Sequence, residues 1–309
     1  MTGLSRRTLL RTATAAAALA TLPASAQTPP RTRLILLGTK GGPRVGGARA
    51  NSSNLVLVDN VPFVIDCGMS VSERLVQAGV ALPALRHVFI THHHSDHTLE
   101  YGNLLYNAWA AGLREKITTY GPRGIVDMTR VFFELNKFDI ETRIEDEGRP
   151  DLRKLVEAHD IGEGAVMQTD AVKVTAMRVP HPPIVDAFAY RFEAPGRTIV
   201  FSGDTAYYPK LAEFAKGADV LVHEAMYGPG IDKLLSRIPN AARLKEHLEA
   251  AHTLTEDVGK IAAAAGVKTL VMSHLVPGDD TSITDEMWAE GARKHFSGKI
   301  VVAKDLMEV

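Results

Sequence analysis

Cysteine is nearly absent from this chain of 309 residues, where Cys67 stands alone. A single thiol closes no internal disulfide in any redox compartment, and without a spaced cysteine pair a metal site has to be built from histidine and carboxylate. Cys67 itself, following an apolar run, reads as a small buried residue. Long basic runs are missing too. The formal net charge is −1, and it moves to −4 without the first 26 residues, which carry Arg6, Arg7 and Arg11 and no acid. Phosphate contacts supply much of a nucleic-acid binder's affinity and need a cationic stripe, so this balance counts against nucleic acid as a partner. The apolar stretch near the N-terminus is too short and alanine-rich for a bilayer span of about 20 residues, so no stable membrane insertion is expected. No internal repeat and no low-complexity tract follows it.

What is present starts with that N-terminus. Ser5-Arg6-Arg7-Thr8-Leu9-Leu10 leads into the alanine-rich run and then a small-residue site, Ala24-Ser25-Ala26. The pattern reads as an export signal over residues 1–26, cleaved after Ala26. Its paired arginines resemble the bacterial twin-arginine address, which serves proteins exported already folded. A periplasmic or secreted location is expected, with residues 27–309 forming one domain.

Within that domain, Leu34–Leu37, Asn54–Val58 and Val61–Ile65 read as neighbouring strands, the last two joined by the turn pair Asp59-Asn60. Helical spacing covers Val71–Ala78, Leu99–Ala111 and Ile125–Leu135, and strands are expected at His87–Ile90 and Ile117–Tyr120. The charged stretch from Phe138 to Arg153 reads as an exposed loop or helical insertion. Strands return at Val172–Val179, Phe188–Phe192 and Thr198–Phe201, followed by alternating helix and strand through Val220–Val222, Leu270–Met272 and Ile300–Val302. Strands first and αβ alternation later, occurring twice, point to two packed sheets covered by helices, an α/β four-layer αββα sandwich.

The strongest chemical signal is His92-x-His94-x-Asp96-His97, directly after the buried strand His87–Ile90. Three imidazoles and a carboxylate on one loop suit zinc-type coordination, which leaves a position open for water in catalytic sites. Alternate residues at a strand end share a side, so His92 and His94 can share one ion, with Asp96 and His97 serving a second. His93, between ligands, is expected to point away.

This segment resembles the signature of the metallo-β-lactamase superfamily. The other motifs of that family follow in order: Val179-Pro180-His181, Phe201-Ser202-Gly203-Asp204-Thr205 and Met272-Ser273-His274, each read at a strand end. The resemblance implies that His92, His94 and His181 hold one ion, that Asp96, His97 and His274 hold another, and that Asp204 bridges them. It implies two divalent cations, zinc by default with manganese or iron as alternatives. The pair would generate a bridging hydroxide as nucleophile, with Asp96 counted among the catalytic residues as well as the ligands.

Leu221-Val222-His223-Glu224-Ala225 and Ala251-His252-Thr253-Leu254-Thr255 resemble a motif pair of the ribonuclease Z and arylsulfatase-like branch. Carried over, Glu224 orients and polarises His252, and His252 protonates the leaving oxygen or stabilises the pentacoordinate transition state, general acid catalysis being worth about 10² to 10⁴ in rate. His223 reads as a packing residue, and His159 and His247, in charged surroundings, as surface residues. Tyr207, Tyr208, Trp109 and the Pro182-Pro183 loop are candidates for lining the pocket. Ribonuclease Z proper grips transfer RNA with a long glycine-rich basic arm, and no such arm is found here. The resulting expectation is an exported hydrolase of phosphodiester or sulfate esters with a small substrate, homodimeric as its relatives suggest. A lactonase or β-lactamase is the alternative, with Asp204 arguing against a dedicated β-lactamase. A non-catalytic metal-binding module has no need of an open position and ranks last.

Overall fold

Apolar residues in the strands occur in unbroken runs, and consecutive side chains enter different cores. Leu34 and Leu36 pack in one cluster while Ile35 and Leu37 pack in another, and Val56/Val58 against Leu55/Leu57 divide in the same way. In the second half, Ile199 and Phe201 share the first of these clusters, whereas Val200, Leu221 and Met272 belong to a third. Side chains alternate across a strand, so runs buried on both faces require something packed on each face of each sheet. The molecule meets that demand with two sheets face to face and helices outside both.

The computed structural model describes residues 31–309, and the expected export signal lies outside them. One sheet contains β1 (Thr32–Gly38), β2 (Ser53–Val58), β3 (Val61–Ile65), β4 (His87–Phe89), β5 (Ile117–Gly121) and β6 (Val156–Asp160). The other contains β7 (Gly164–Gln168), β8 (Lys173–Arg178), β9 (Phe188–Ala194), β10 (Arg197–Phe201), β11 (Val220–Met226), β12 (Thr269–Val276) and β13 (Lys299–Val302). The spatial order follows the chain order in both sheets except for β14 (Met307–Glu308), which returns to pair beside β1. The result is the expected αββα sandwich.

Asp59 and Asn60 take φ of 48° and 67°, the two positive values that a tight turn between β2 and β3 needs. Between the sheets Phe89, Phe192 and Tyr190 meet edge to face, with ring centroids 5.1 and 5.6 Å from Phe89. Outside the first sheet lie the helices Val71–Gln77, Tyr101–Ala110 and Ile125–Leu135, and outside the second lie Lys210–Phe214, Thr255–Ala265 and Asp285–Arg293. The stretch left open as loop or helix is helical at Lys137–Glu147 and Leu152–Leu155. Three strands escaped the sequence: β6, β7 and β14. Among the described residues no helix is long and apolar enough to cross a membrane.

Candidate metal centre

The loop after β4 leaves the sheet at Ile90, whose N–H still bonds the Tyr120 carbonyl, and Ser95–Thr98 closes one helical turn behind it. That turn carries Asp96 and His97 on its buried side, while His94 stands at its entrance. Asp66, at the end of β3 with φ 64°, holds the loop in place. Its carboxylate accepts the Thr91 N–H at 2.8 Å, the Thr91 hydroxyl at 3.0 Å and the His97 Nδ1–H at 2.8 Å. With its proton directed to Asp66, the Thr91 hydroxyl accepts the Nδ1–H of His92 at 3.0 Å. Both imidazoles are thereby turned with Nε2 free. Sequence reasoning missed Asp66; its signal is an acid directly after a buried apolar strand, in Ile65-Asp66-Cys67-Gly68.

The remaining ligand candidates come from the second sheet. His181 follows β8, and its Nδ1–H donates to the Ala251 carbonyl at 2.9 Å. Asp204 follows β10 after Gly203, where φ is 60° and a Cβ would fall 2.6 Å from the Phe188 carbonyl oxygen, so glycine is required there. His274 is not at a strand end as expected but inside β12. Glu224 of β11 pairs with Ser273 and Ala225 with Leu275, which makes His274 the extra residue of a bulge, at φ 44°. Bulges re-aim a side chain, and this one turns His274 toward the cluster.

The seven side chains expected to bind metal converge. The Nδ1 of His94 lies 3.0 Å from the Nε2 of His92 and 3.0 Å from that of His181. Asp204 Oδ2 stands 3.8 and 4.0 Å from His92 and His181 Nε2. On its other side the same oxygen is 3.4 Å from His97 Nε2 and 3.2 Å from His274 Nε2. Asp96 Oδ2 completes this second group, 3.2 Å from His274 and 3.7 Å from His97. Bonds of about 2.0–2.1 Å in a tetrahedral zinc site separate the ligand atoms by roughly 3.3 Å, which suits these spacings. The chemistry of the donors agrees, because buried His97 Nε2 and Asp204 Oδ1 find no hydrogen-bond partner in the protein. The residues present fit two divalent ions sharing Asp204.

The surrounding electrostatics favour ligand forms for His92, His181 and Asp204, whereas at His97 burial is outweighed by the carboxylates of Asp204, Asp66 and Asp96, which push its imidazole well above the ordinary value. Burial pushes the imidazoles of His92 and His181 down, that of His181 to about 4, so both are neutral donors at neutral pH. Burial alone would raise Asp204, but the charges of His274 and His97 outweigh it and hold the carboxyl well below its ordinary range.

Beside this cluster, His252 Nδ1–H donates to Glu224 Oε1 at 2.9 Å, and the same oxygen accepts the Thr205 N–H at 3.1 Å. Burial works against a charged His252, but the charge and hydrogen bond of Glu224 prevail and lift it to about 9. Its ring lies 5.3 Å from that of His181 and 5.7 Å from that of His274. A cavity of about 370 Å³ opens over His94, Asp96, Asp204, His252 and His274.

Other expectations fare unevenly. His93 turns outward and bonds the Arg123 carbonyl at 3.1 Å, His223 is buried with Nδ1 on the Glu224 carbonyl, and Cys67 is fully buried. His159 stacks on Tyr120 at the surface. His247 is a correction: its half-buried ring stands 5.8 Å from that of His94 and 6.0 Å from that of His252, at the cavity, because the helix Leu244–Ala251 turns that face inward. Trp109 is core, its indole N–H on the Pro150 carbonyl, and Pro182 and Pro183 are exposed outside the cavity. Tyr208 packs against the outer core of the second sheet, and Tyr207 lines a separate cavity of about 600 Å³ that shares His252.

Comparison with known proteins follows the same lines. The family described as "Beta-lactamase superfamily domain" matches residues 62–275. Ribonuclease Z of Mycobacterium bovis (strain BCG / Pasteur 1173P2) is 31% identical over 279 residues, 89% of this chain and 97% of that protein. The metallo-β-lactamase fold protein YhfI of Bacillus subtilis superposes with a TM-score of 0.66 at 21% identity, over 90% of this chain and 98% of its own. Human tRNase Z, short form, gives 0.64 at 18% identity, over 90% and 98%. Relatives named for ribonuclease activity overturn the expectation that nucleic acid is an improbable partner. Net charge averages the whole surface and says nothing of the local field at one cleft, which is where that inference failed.

Proposed function

Because this chain belongs to the metallo-β-lactamase superfamily, we propose that it is a metal-dependent phosphodiesterase, with RNA among the diesters it cleaves. The observation that carries the reading is the 2.9 Å contact of His252 with Glu224 beside the ligand cluster. The alkoxide leaving group of a sugar or alkyl ester departs poorly without a proton, and this pair holds one where the cavity meets the cluster. His92, His94 and His181 would hold one ion, Asp96, His97 and His274 the other, and Asp204 both. Divalent ions held there would supply an acidified water and neutralise charge developing on the phosphoryl oxygens. Zinc suits the donors, and manganese and iron accept the same ones.

The chain's own groups supply the rest. Two N–H donors fix one oxygen of Glu224, so the carboxylate holds the His252 ring with Nδ1 engaged and Nε2 available. Asp96 Oδ2 accepts the Gly42 N–H at 2.7 Å, which ties the glycine-rich loop after β1 to the edge of the cavity. The names of the relatives support a phosphodiester over a sulfate ester.

Protein loaded with zinc or manganese is to be assayed on bis(p-nitrophenyl) phosphate, a precursor RNA, p-nitrophenyl sulfate, an acyl-homoserine lactone and nitrocefin. The two phosphodiesters are expected to show the largest kcat/KM; a larger value on the sulfate, lactone or lactam overturns the reading. His252→Ala should slow RNA cleavage by about 10² to 10⁴ and the activated aryl diester far less. Equal losses would remove His252 as the acid.

The reading includes export by the leader, supported by Arg6-Arg7 and Ala24-Ser25-Ala26. Fractionation of cells should find the native chain outside the cytoplasm and an Arg6→Lys, Arg7→Lys chain inside. Equal distributions would end the twin-arginine assignment.

A further inference from the structure

The helices Ile231–Ser236 and Leu244–Ala251 contribute nothing to the metal-ligand set, yet they wall the cavity beside it. Along Leu244–Ala251 the cavity-facing residues are Leu244, His247 and Leu248, the i, i+3, i+4 spacing of one helical face. Lys245 and Glu249, on the other face, line the neighbouring cavity. Leu234 and Ile238 extend the apolar wall, and Val276 and Pro277 bound it after the bulge in β12. The six aliphatic side chains offer no donor or acceptor; His247 interrupts them, and Ser95 and the Arg44–Asp279 ion pair also line the cavity. Its ring lies 5.8 Å from His94, 6.1 Å from His181 and 6.0 Å from His252, where the wall meets the ligand cluster.

A phosphodiester group has no surface that wants such a wall. Ligand pockets of roughly 300–1,000 Å³ are lined mostly by apolar side chains with polar ones that orient the ligand, and within the 370 Å³ here the two helices supply the apolar part. We infer that this wall is a subsite for a flat ring carried on the ester next to the scissile bond, with His247 at its inner edge as a specificity-determining residue. The inference rests on the phosphodiesterase reading. The ring comes either from an aryl alcohol or from a nucleoside, and the two differ in the hydrogen-bonding edge that the nucleobase adds.

The test uses three diesters sharing one leaving group, p-nitrophenolate, with methyl, phenyl or thymidine-5′ as the retained ester. On zinc-loaded enzyme, at least one ring-bearing diester is expected to exceed the methyl ester in kcat/KM by about 10- to 100-fold, the size of effect that burying one ring produces. Preference for phenyl assigns an aryl source, and preference for thymidyl assigns a nucleoside. Leu244→Asn should bring the ratio toward one, and His247→Ala should raise KM for the ring-bearing ester more than for the methyl ester. Calorimetric binding of diphenyl phosphate and dimethyl phosphate to the unaltered protein gives a readout without turnover, with the diphenyl compound bound about tenfold or more tightly. Equal kcat/KM values and equal affinities overturn the subsite and leave the phosphodiesterase reading standing. Failure to turn over any of the three diesters overturns that reading itself.

Discussion

Asp66 is not among the candidate ligands, yet one carboxylate receives three donors and so sets the loop that carries four of the seven. Partners that fix a ligand's tautomer and orientation matter nearly as much as the ligands, and their loss costs about 10- to 100-fold in metal affinity or activity. Asp66→Ala should therefore weaken metal binding by roughly that factor, read by competition with a chromophoric chelator. Affinity unchanged from the parent would show that packing alone orients His97. The candidate ligands are legible because chemistry concentrates them in His92–His97 and in three short motifs. Asp66 was not, since a lone acid after a strand has no partner to identify it until β3 and β4 lie side by side. His247 was misread for the related reason that its neighbours Lys245 and Glu246 are charged, and charge in a helix does not say which face the fold turns inward.

At the scale of elements, the bulge in β12 and the close approach of two helices show packing deciding geometry. His274 would follow the ordinary alternation of its strand were the ladder regular, and the extra residue changes its aim. The helices Thr255–Ala265 and Asp285–Arg293 touch at Gly259, where a Cβ would sit 2.5 Å from the Ala292 carbonyl oxygen. Gly259→Ala has to push these helices apart, at a cost of about 1–3 kcal/mol. Thermal unfolding should show a midpoint lower by several degrees with the metal content intact, and an unchanged midpoint would mean that the contact yields freely. The strands that escaped the sequence, β6, β7 and β14, are all sheet edges; β14 is two residues long, and Glu157, Asp160 and Gln168 give β6 and β7 little apolar alternation to read. The interior strands carry long apolar runs and were found within a residue or two at their starts.

For the whole molecule, stability itself carries a pH dependence. His87 in β4 stacks on Phe63 with centroids 4.8 Å apart, and burial, followed by the charge of Arg86, pushes it from 6.5 to about 4. The folded value lies below the unfolded one, so this group's contribution is full above about 6.5 and is lost as pH falls through about 4. His87→Phe keeps the stack and removes the titration, so denaturant midpoints should fall less between pH 7.5 and pH 4 than in the parent. An identical fall would assign acid sensitivity elsewhere. The sequence by itself determined the four-layer architecture, because strands apolar on both faces must be covered on both, and it determined the donor types, because imidazole and carboxylate were the metal-binding groups present. Only the tertiary structure decided the distances at which donors from separate motifs meet, that Asp66 orients His97, and that an apolar helical wall stands over the site. Those are relations between residues far apart in the chain, and they exist once the two sheets have closed on each other.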